Sequence, residues 1–282
     1  MYTLRAPAPA LAPFVEHYWF VDARARPVEL QVDVYVDARA DLVFNFGAPW
    51  TRERPGAPPT AHPGSVVDCQ RRHPLRVRQS GAVMLVGLRF HLGGLGAFSA
   101  APLRPFTDQT PHPAELFGPS AVPLEARLRA SPDPDAQAAQ LDAWLLGQLR
   151  RDDGRQTFEA ALARLISAQP APAVSALAAE VGVSARALER LFDRHLGLPP
   201  RTVGRVARFQ RALRALMRDP GGPLADVAHA AGYFDQAHLV REFKEMTGGV
   251  PRGYRGYFPP AGPHDFAPNV VAFMQDGPPR RG

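Results

Sequence analysis

The chain has one cysteine, Cys69, in 282 residues, so an intrachain disulfide framework is excluded and a reducing compartment fits. It has one lysine, Lys244, among 33 Lys+Arg, an arginine bias that reflects the base composition of a gene more than binding chemistry. It has no apolar run near the ~20 residues of a membrane span. The first residues, Met1–Ala12, lack the basic-then-apolar order of a signal peptide, and the expectation is a cytoplasmic protein with no membrane partner. There is no His-x-His pair, and His17, His62, His73 and His91 are scattered, so a metal site is not expected. The glycine cluster Gly93, Gly94 and Gly96 lacks the Lys-Ser or Lys-Thr that a phosphate-cradling loop requires. With 45% hydrophobic and 21% charged residues the composition is that of a globular protein, long enough for two domains.

What is present is a repeat. Val174, Leu177, Ala178 and Val181 recur at i, i+3, i+4 and i+7, the apolar stripe of a helix, and Gly182 ends it. Leu224, Val227, Ala228, Ala231 and Gly232 repeat that pattern. A capping residue follows each glycine, Ser184 or Asp235, and then a second helix with Leu188, Leu191 and Phe192 or with Leu239 and Phe243 on its buried side. The second halves coincide at one offset: Ser184 on Asp235, Leu188 on Leu239, Arg190 on Arg241, Phe192 on Phe243, Gly197 on Gly248 and Pro200 on Pro251. Each copy reads as helix, tight turn, helix, the unit that lays its second helix in a DNA major groove.

These residues carry a resemblance. Leu177-Ala178-x-x-Val181-Gly182-x-Ser184, Leu188-x-Arg190-x-Phe192-x-x-x-x-Gly197, Ala228-x-x-Ala231-Gly232-Tyr233 and Leu239-x-Arg241-x-Phe243-Lys244-x-x-x-Gly248-x-x-Pro251-x-x-Tyr254-Arg255 resemble the DNA-binding domain of AraC/XylS-type bacterial transcription regulators. In one place the chain departs from it: Val203 and Gly204 stand where a Tyr-Leu pair is common, which implies a looser joint in the connecting helix. The resemblance implies an α+β protein. Residues 1–120 form a small antiparallel, cupin-like β-barrel with a regulatory role, 121–169 a helical linker open to dimerisation, 170–258 an all-α double helix-turn-helix domain, and 259–282 a tail. It further implies no enzymatic activity and no cofactor. The implied partners are double-stranded DNA, RNA polymerase for an activator, a small-molecule effector of unknown identity, and a second copy of the chain.

The charge supports the DNA reading. Residues 170–258 hold 13 Lys+Arg against 8 Asp+Glu, so nearly all of the net +6 falls on the repeat. On the first reading helix, Arg186, Glu189, Arg190 and Asp193 lie opposite the apolar stripe. Arg186 and Arg190 are the candidates for guanine O6 and N7, and Glu189 for cytosine N4. On the second, Gln236, His238 and Arg241 are the base-reading candidates, with Gln236 suited to adenine. Arg201, Arg205, Arg208, Lys244 and Arg252 are candidates for phosphate contact. The bland reading of each face is a solvated helix surface held by ion pairs.

In the first half, His17–Val21, Leu30–Val36, Leu42–Phe46, Ser65–Val67, Leu75–Arg78 and Ala82–Phe90 read as strands of an antiparallel barrel or sandwich, and 37–40 as a turn. Trp50–Pro63, with Pro55, Pro58 and Pro59, reads as an exposed loop, and 102–119 as irregular. Tyr18, Trp19, Phe20, Tyr35, Phe44, Phe46 and Phe90 read as core. Helices are expected at 135–151 and 157–168, their apolar stripe packing on their own domain in the plainer reading and forming a dimerisation surface in the sharper one, and a short strand at 270–274. Arg71, Arg76 and Arg78 are candidates for an anionic effector, since Arg76 and Arg78 share a strand face opposite Leu75 and Val77; a solvated edge is the plainer reading.

Two enzyme readings compete. A metal-dependent cupin enzyme would need clustered histidines and a carboxylate, which the spacing does not offer. A DNA-repair methyl acceptor with a helical appendage would need an activated thiol, and Cys69, between Asp68 and Gln70, lacks a Pro-Cys-His-Arg setting.

Overall fold

The computed structural model describes residues 2–254 apart from 26, 27, 63, 132, 151 and 220. The strand expected at 270–274 and the tail 259–282 lie outside the described residues. Strands β1 (Tyr2–Arg5), β2 (Val15–Asp22), β3 (Val28–Val34), β4 (Asp41–Asn45), β5 (Trp50–Glu53), β6 (Thr60–His62), β7 (Val66–Asp68), β8 (Leu75–Gly81) and β9 (Met84–Phe90) come first. They form two antiparallel sheets, ordered β1-β2-β9-β4-β7 and β3-β8-β5-β6. Helices follow: α1 (Pro113–Phe117), α2 (Ala121–Ala130), α3 (Pro134–Gln148), α4 (Arg155–Ser167), α5 (Val174–Glu180), α6 (Ala185–His195), α7 (Pro200–Arg218), α8 (Leu224–Ala231) and α9 (Gln236–Thr247). The protein is α+β, strands before helices.

Alternation along the strands divides the first core in two. In the five-stranded sheet, register sets Trp19 and Val43 on either side of Gly87, and these pack with Trp50, Leu75 and Val77 of the other sheet. Gly87 is required there: a Cβ would come within 2.1 Å of the Trp19 ring. The opposite face, with Tyr18, Phe20, Leu42, Phe44, Leu88 and Phe90, is covered by Leu124 and Leu128 of α2 and Leu141, Trp144 and Leu145 of α3. Each fully buried Leu or Phe contributes about 1.5–3 kcal/mol of transfer free energy.

Two expectations need correction. The segment 50–63 is not a loop but the hairpin β5–β6, paired Trp50 to His62. Its prolines 55, 58 and 59 sit in the connection, and Trp50 and Arg52 alternate inward with Thr51 and Glu53 outward. The stretch 102–119 contains α1, begun by Pro113 and a reciprocal cap in which Glu115 accepts from the His112 N–H at 2.7 Å and the His112 ring accepts from Ala114. The helices of 121–167 pack into two cores. α2 and α3 belong to the strand domain, while Phe158, Ala161, Leu162 and Leu165 of α4 join the core of the C-terminal helices.

Candidate nucleic-acid interface

The two copies of the repeat fold alike. After α5, Gly182 takes φ +71°, and the Ser184 hydroxyl caps α6 by accepting from Ala187 N–H at 3.2 Å. After α8, Gly232 takes φ +87°, and the Asp235 carboxylate caps α9 by accepting from His238 N–H at 2.7 Å. Leu177, Ala178, Leu188 and Phe192 are buried in the first copy, and Val227, Ala228, Leu239 and Phe243 in the second. Helix α7 joins them, with Phe209 edge-on to Phe243 at 5.3 Å. Because the stripes are buried, the remaining sides of α6 and α9 are exposed.

Arg186, Glu189 and Arg190 all stand exposed on α6. On α9, Gln236, Arg241 and Lys244 are exposed, whereas His238 is half-buried, edge-on to Tyr233 and 4.0 Å from Glu242. Arg201 and Arg252 are exposed. Arg205 and Arg208 differ from the other phosphate candidates, because both close on the buried Glu242. Arg205 Nε lies 3.1 Å and Arg208 Nη2 2.6 Å from Glu242 Oε2, and Arg205 also reaches Glu245 at 2.7 Å. Tyr233 donates its hydroxyl to Glu242 Oε1 at 2.9 Å, beneath the Arg208 guanidinium at 4.7 Å. Burial alone would push the Glu242 carboxyl up, but Arg208, Tyr233 and Arg205 outweigh it and hold the carboxyl below its ordinary value. This network locks α7 to α9.

Two residues escape the sequence reading. Phe234, in the turn before α9, is 93% exposed, an aromatic beside a reading helix with no core to fill. Its signal was its place between the turn glycine and the cap, where a polar residue is usual. Glu242 sits on the buried side of α9, in line with Leu239 and Phe243, and only its arginine partners explain it.

The strand domain grips the reading module at both ends. Leu103 N–H donates to Arg194 C=O at 3.1 Å and the Thr107 hydroxyl to Gly197 C=O at 2.7 Å, while Arg104 pairs at 2.7 Å with Asp193 on the outward side of α6. Gln210 of α7 donates to Val36 C=O at 2.8 Å, and Val36 N–H to Met246 C=O at 3.2 Å. At this junction His195 is buried against Phe158, and burial, partly offset by Asp152, pushes its imidazole down to about 4.

Of the three arginines named for an effector, Arg76 and Arg78 share the outward face of β8 opposite Leu75 and Val77, whereas Arg71 is buried before that strand. Arg71 is buried on Asp68, which also holds Arg52 at 3.0 Å, and burial lowers Arg71 to about 9. Arg76 pairs with Asp33 across the strand at 2.5 Å, and Arg78 with Gln31 at 3.1 Å. The Cys69 thiol is buried, which pushes it up to about 12, the reverse of an activated nucleophile. Among the described residues no group of three or more His, Cys, Asp or Glu is arranged to hold a metal ion, and no helix is long and apolar enough to cross a membrane.

Comparison with known proteins matches two separate segments of the chain. Residues 177–257 match a family described as a helix-turn-helix domain, and residues 4–112 a domain of unknown function, DUF6597. The uncharacterized HTH-type transcriptional regulator YidL of Escherichia coli is 32% identical over 103 residues. That match covers 36% of this chain and 34% of the relative, so the chain matches about a third of its length. Among solved structures, an AraC-type transcriptional regulator from Chromobacterium violaceum is 25% identical, with 39% of this chain and all of that one covered, at a TM-score of 0.36. ToxT from Vibrio cholerae is 8% identical over 81% of this chain and 97% of its own, at a TM-score of 0.45.

Proposed function

Residues 177–257 being a helix-turn-helix domain of the AraC type, we propose that the protein is a sequence-specific transcription regulator that reads two successive major-groove segments. The observation that carries this reading is the pair of capped turns at Ser184 and Asp235, each followed by a helix with a buried apolar side and an exposed polar one. Two such helices reach segments about 34 Å apart, one turn of the duplex. Arg186, Glu189 and Arg190 read bases from α6; Gln236 and Arg241 do so from α9, where Phe234 adds apolar contact to a thymine methyl. Arg201, Lys244 and Arg252 neutralise phosphates. His238 orients Tyr233 and Glu242 more than it reads.

Control comes from the strand domain. Its 103–107 segment is bonded to the last turn of α6 through Arg194, Asp193 and Gly197, so a shift in that segment reaches a reading helix directly. A small effector in the strand domain acts through this contact.

The test is titration of the full-length protein onto a mixed-sequence duplex at several salt concentrations. Binding is expected at low salt, with log K falling linearly against log salt by about 0.9 per neutralised phosphate. Lys244→Gln and Arg252→Gln should each flatten the slope. No binding at low salt would remove the DNA reading.

A further inference from the structure

A groove of about 600 Å³ lies between α7, α9 and the segment 170–174. That volume is within the range of about 300–1,000 Å³ that small-molecule sites occupy. Its floor is one face of α7, where Arg201, Gly204, Arg205, Arg208 and Arg211 follow at helical spacing over about 15 Å. Its far wall is His238, Arg241, Glu242 and Glu245 of α9. Five guanidinium groups therefore face two carboxylates. Arg205 and Arg208 already satisfy Glu242, and Arg205 also satisfies Glu245, so Arg201, Arg211 and Arg241 have no carboxylate partner among the described residues.

Arg211 is the most exposed to this imbalance electrostatically. Its Nη1 donates to Ile166 C=O at 3.2 Å, but its Nε is buried without a hydrogen-bond partner. Burial, with the charges of Arg214 and Arg208, lowers it below the usual guanidinium value. Gly204 stands inside a 19-residue helix, where glycine is disfavoured, and an added Cβ would meet Ala171 at 3.4 Å and Leu165 at 3.5 Å. An alanine fits at that distance; a leucine would have to displace Ala171 and Leu165 or extend into the groove they line. The first turn of α7, which lacks a side-chain cap, lines the rim and adds its positive dipole end.

We propose that this groove is a phosphate-binding site, sized for a nucleoside diphosphate or a comparable phosphate ester. The phosphate comes either from a soluble small molecule or from a DNA backbone; only the second source rests on the DNA-binding reading. The site's polar groups suit a dianion: two or more unpaired guanidinium groups offer forked donors, and Glu242 is already neutralised.

The test is calorimetric titration of the full-length protein with ADP and with pyrophosphate, in the absence of DNA. For a soluble ligand the wild type binds, Gly204→Ala binds equally, Arg211→Gln binds at least 10-fold more weakly, and Gly204→Leu does not bind. Thermal melting of each variant controls for folding. If neither compound binds, duplex DNA is titrated against salt with the same variants. A salt slope reduced by about one in Arg211→Gln, with weaker binding by Gly204→Leu, assigns the groove to the backbone. If ADP and pyrophosphate do not bind, and both folded variants keep the wild-type DNA affinity and slope, the groove proposal is overturned while the DNA reading stands. Binding of ADP by a protein that ignores DNA would overturn the DNA reading while the groove proposal stands.

Discussion

Arg190 stands free on α6 because Leu188 and Phe192, on either side of it in sequence, take the buried side of the same turn. A guanidinium presented in this way can donate two parallel hydrogen bonds to guanine, worth about 1–3 kcal/mol of discrimination. Arg190→Ala should therefore relax preference at one base position and leave Tm unchanged; affinity for the preferred duplex, measured by fluorescence anisotropy, should fall about 5- to 150-fold. Equal losses on preferred and scrambled duplexes would make Arg190 a phosphate contact instead. His195 makes a different prediction. Its folded pKa of about 4 lies below the unfolded value of about 6.5, so the folded state favours the neutral ring. Its contribution to stability is complete above about pH 6.5 and is lost as pH falls through about 4. His195→Phe, which keeps the stacking on Phe158 and has no proton to gain, should flatten the decline in Tm between pH 6.5 and 5. An unchanged decline would mean that other groups carry it. The exposure of Arg186, Glu189, Arg190, Gln236 and Arg241 was legible because exposure on a helix follows from its apolar stripe, whereas the half-buried place of His238 was not. The partners of Arg205 and Arg208 were not, because Glu242 lies more than 30 residues away and only the tertiary fold brings it near.

Among the elements, α5, α6, α8 and α9 were readable because each begins at a cap or ends at a glycine and carries an uninterrupted stripe. The hairpin β5–β6 was hidden by prolines that belong to its connection, and the five-residue α1 by its short length. Helix α3 shows the limit of periodicity, which predicts a helix but not the sheet it packs on, and α2 was not read from its pattern at all. The junction between the domains rests on one conformation. Gly197 takes φ +74°, and a Cβ there would lie 2.3 Å from Gln70 Nε2 and 2.7 Å from Leu103 C=O. Gly197→Ala should cost about 1–2 kcal/mol for the left-handed backbone alone, with the clash added. The expected result is a Tm lower by several degrees and faster hydrogen exchange at the Leu103 amide, which bonds Arg194. An unchanged Leu103 amide would show that the contact does not hold the domains together.

Across the whole molecule, the positive charge falls on the helical repeat while the strand domain pairs most of its charges internally, as Arg89 does with Asp37 and Asp41. The helical repeat itself was legible from charge and pattern together. The contacts that join it to the strand domain were not, because Val36, Leu103 and Thr107 carry no pattern in sequence. On the proposed reading, α6 and α9, packed into one core through α7, should impose a fixed spacing on the DNA. The most direct measurement is selection of bound sites from random duplex DNA by the full-length protein, with Arg190→Ala alongside. The expected result is a motif of two blocks about 10 base pairs apart, one of them relaxed by the substitution. A single block untouched by Arg190→Ala, or no enriched sequence, would contradict a reader built on both helices.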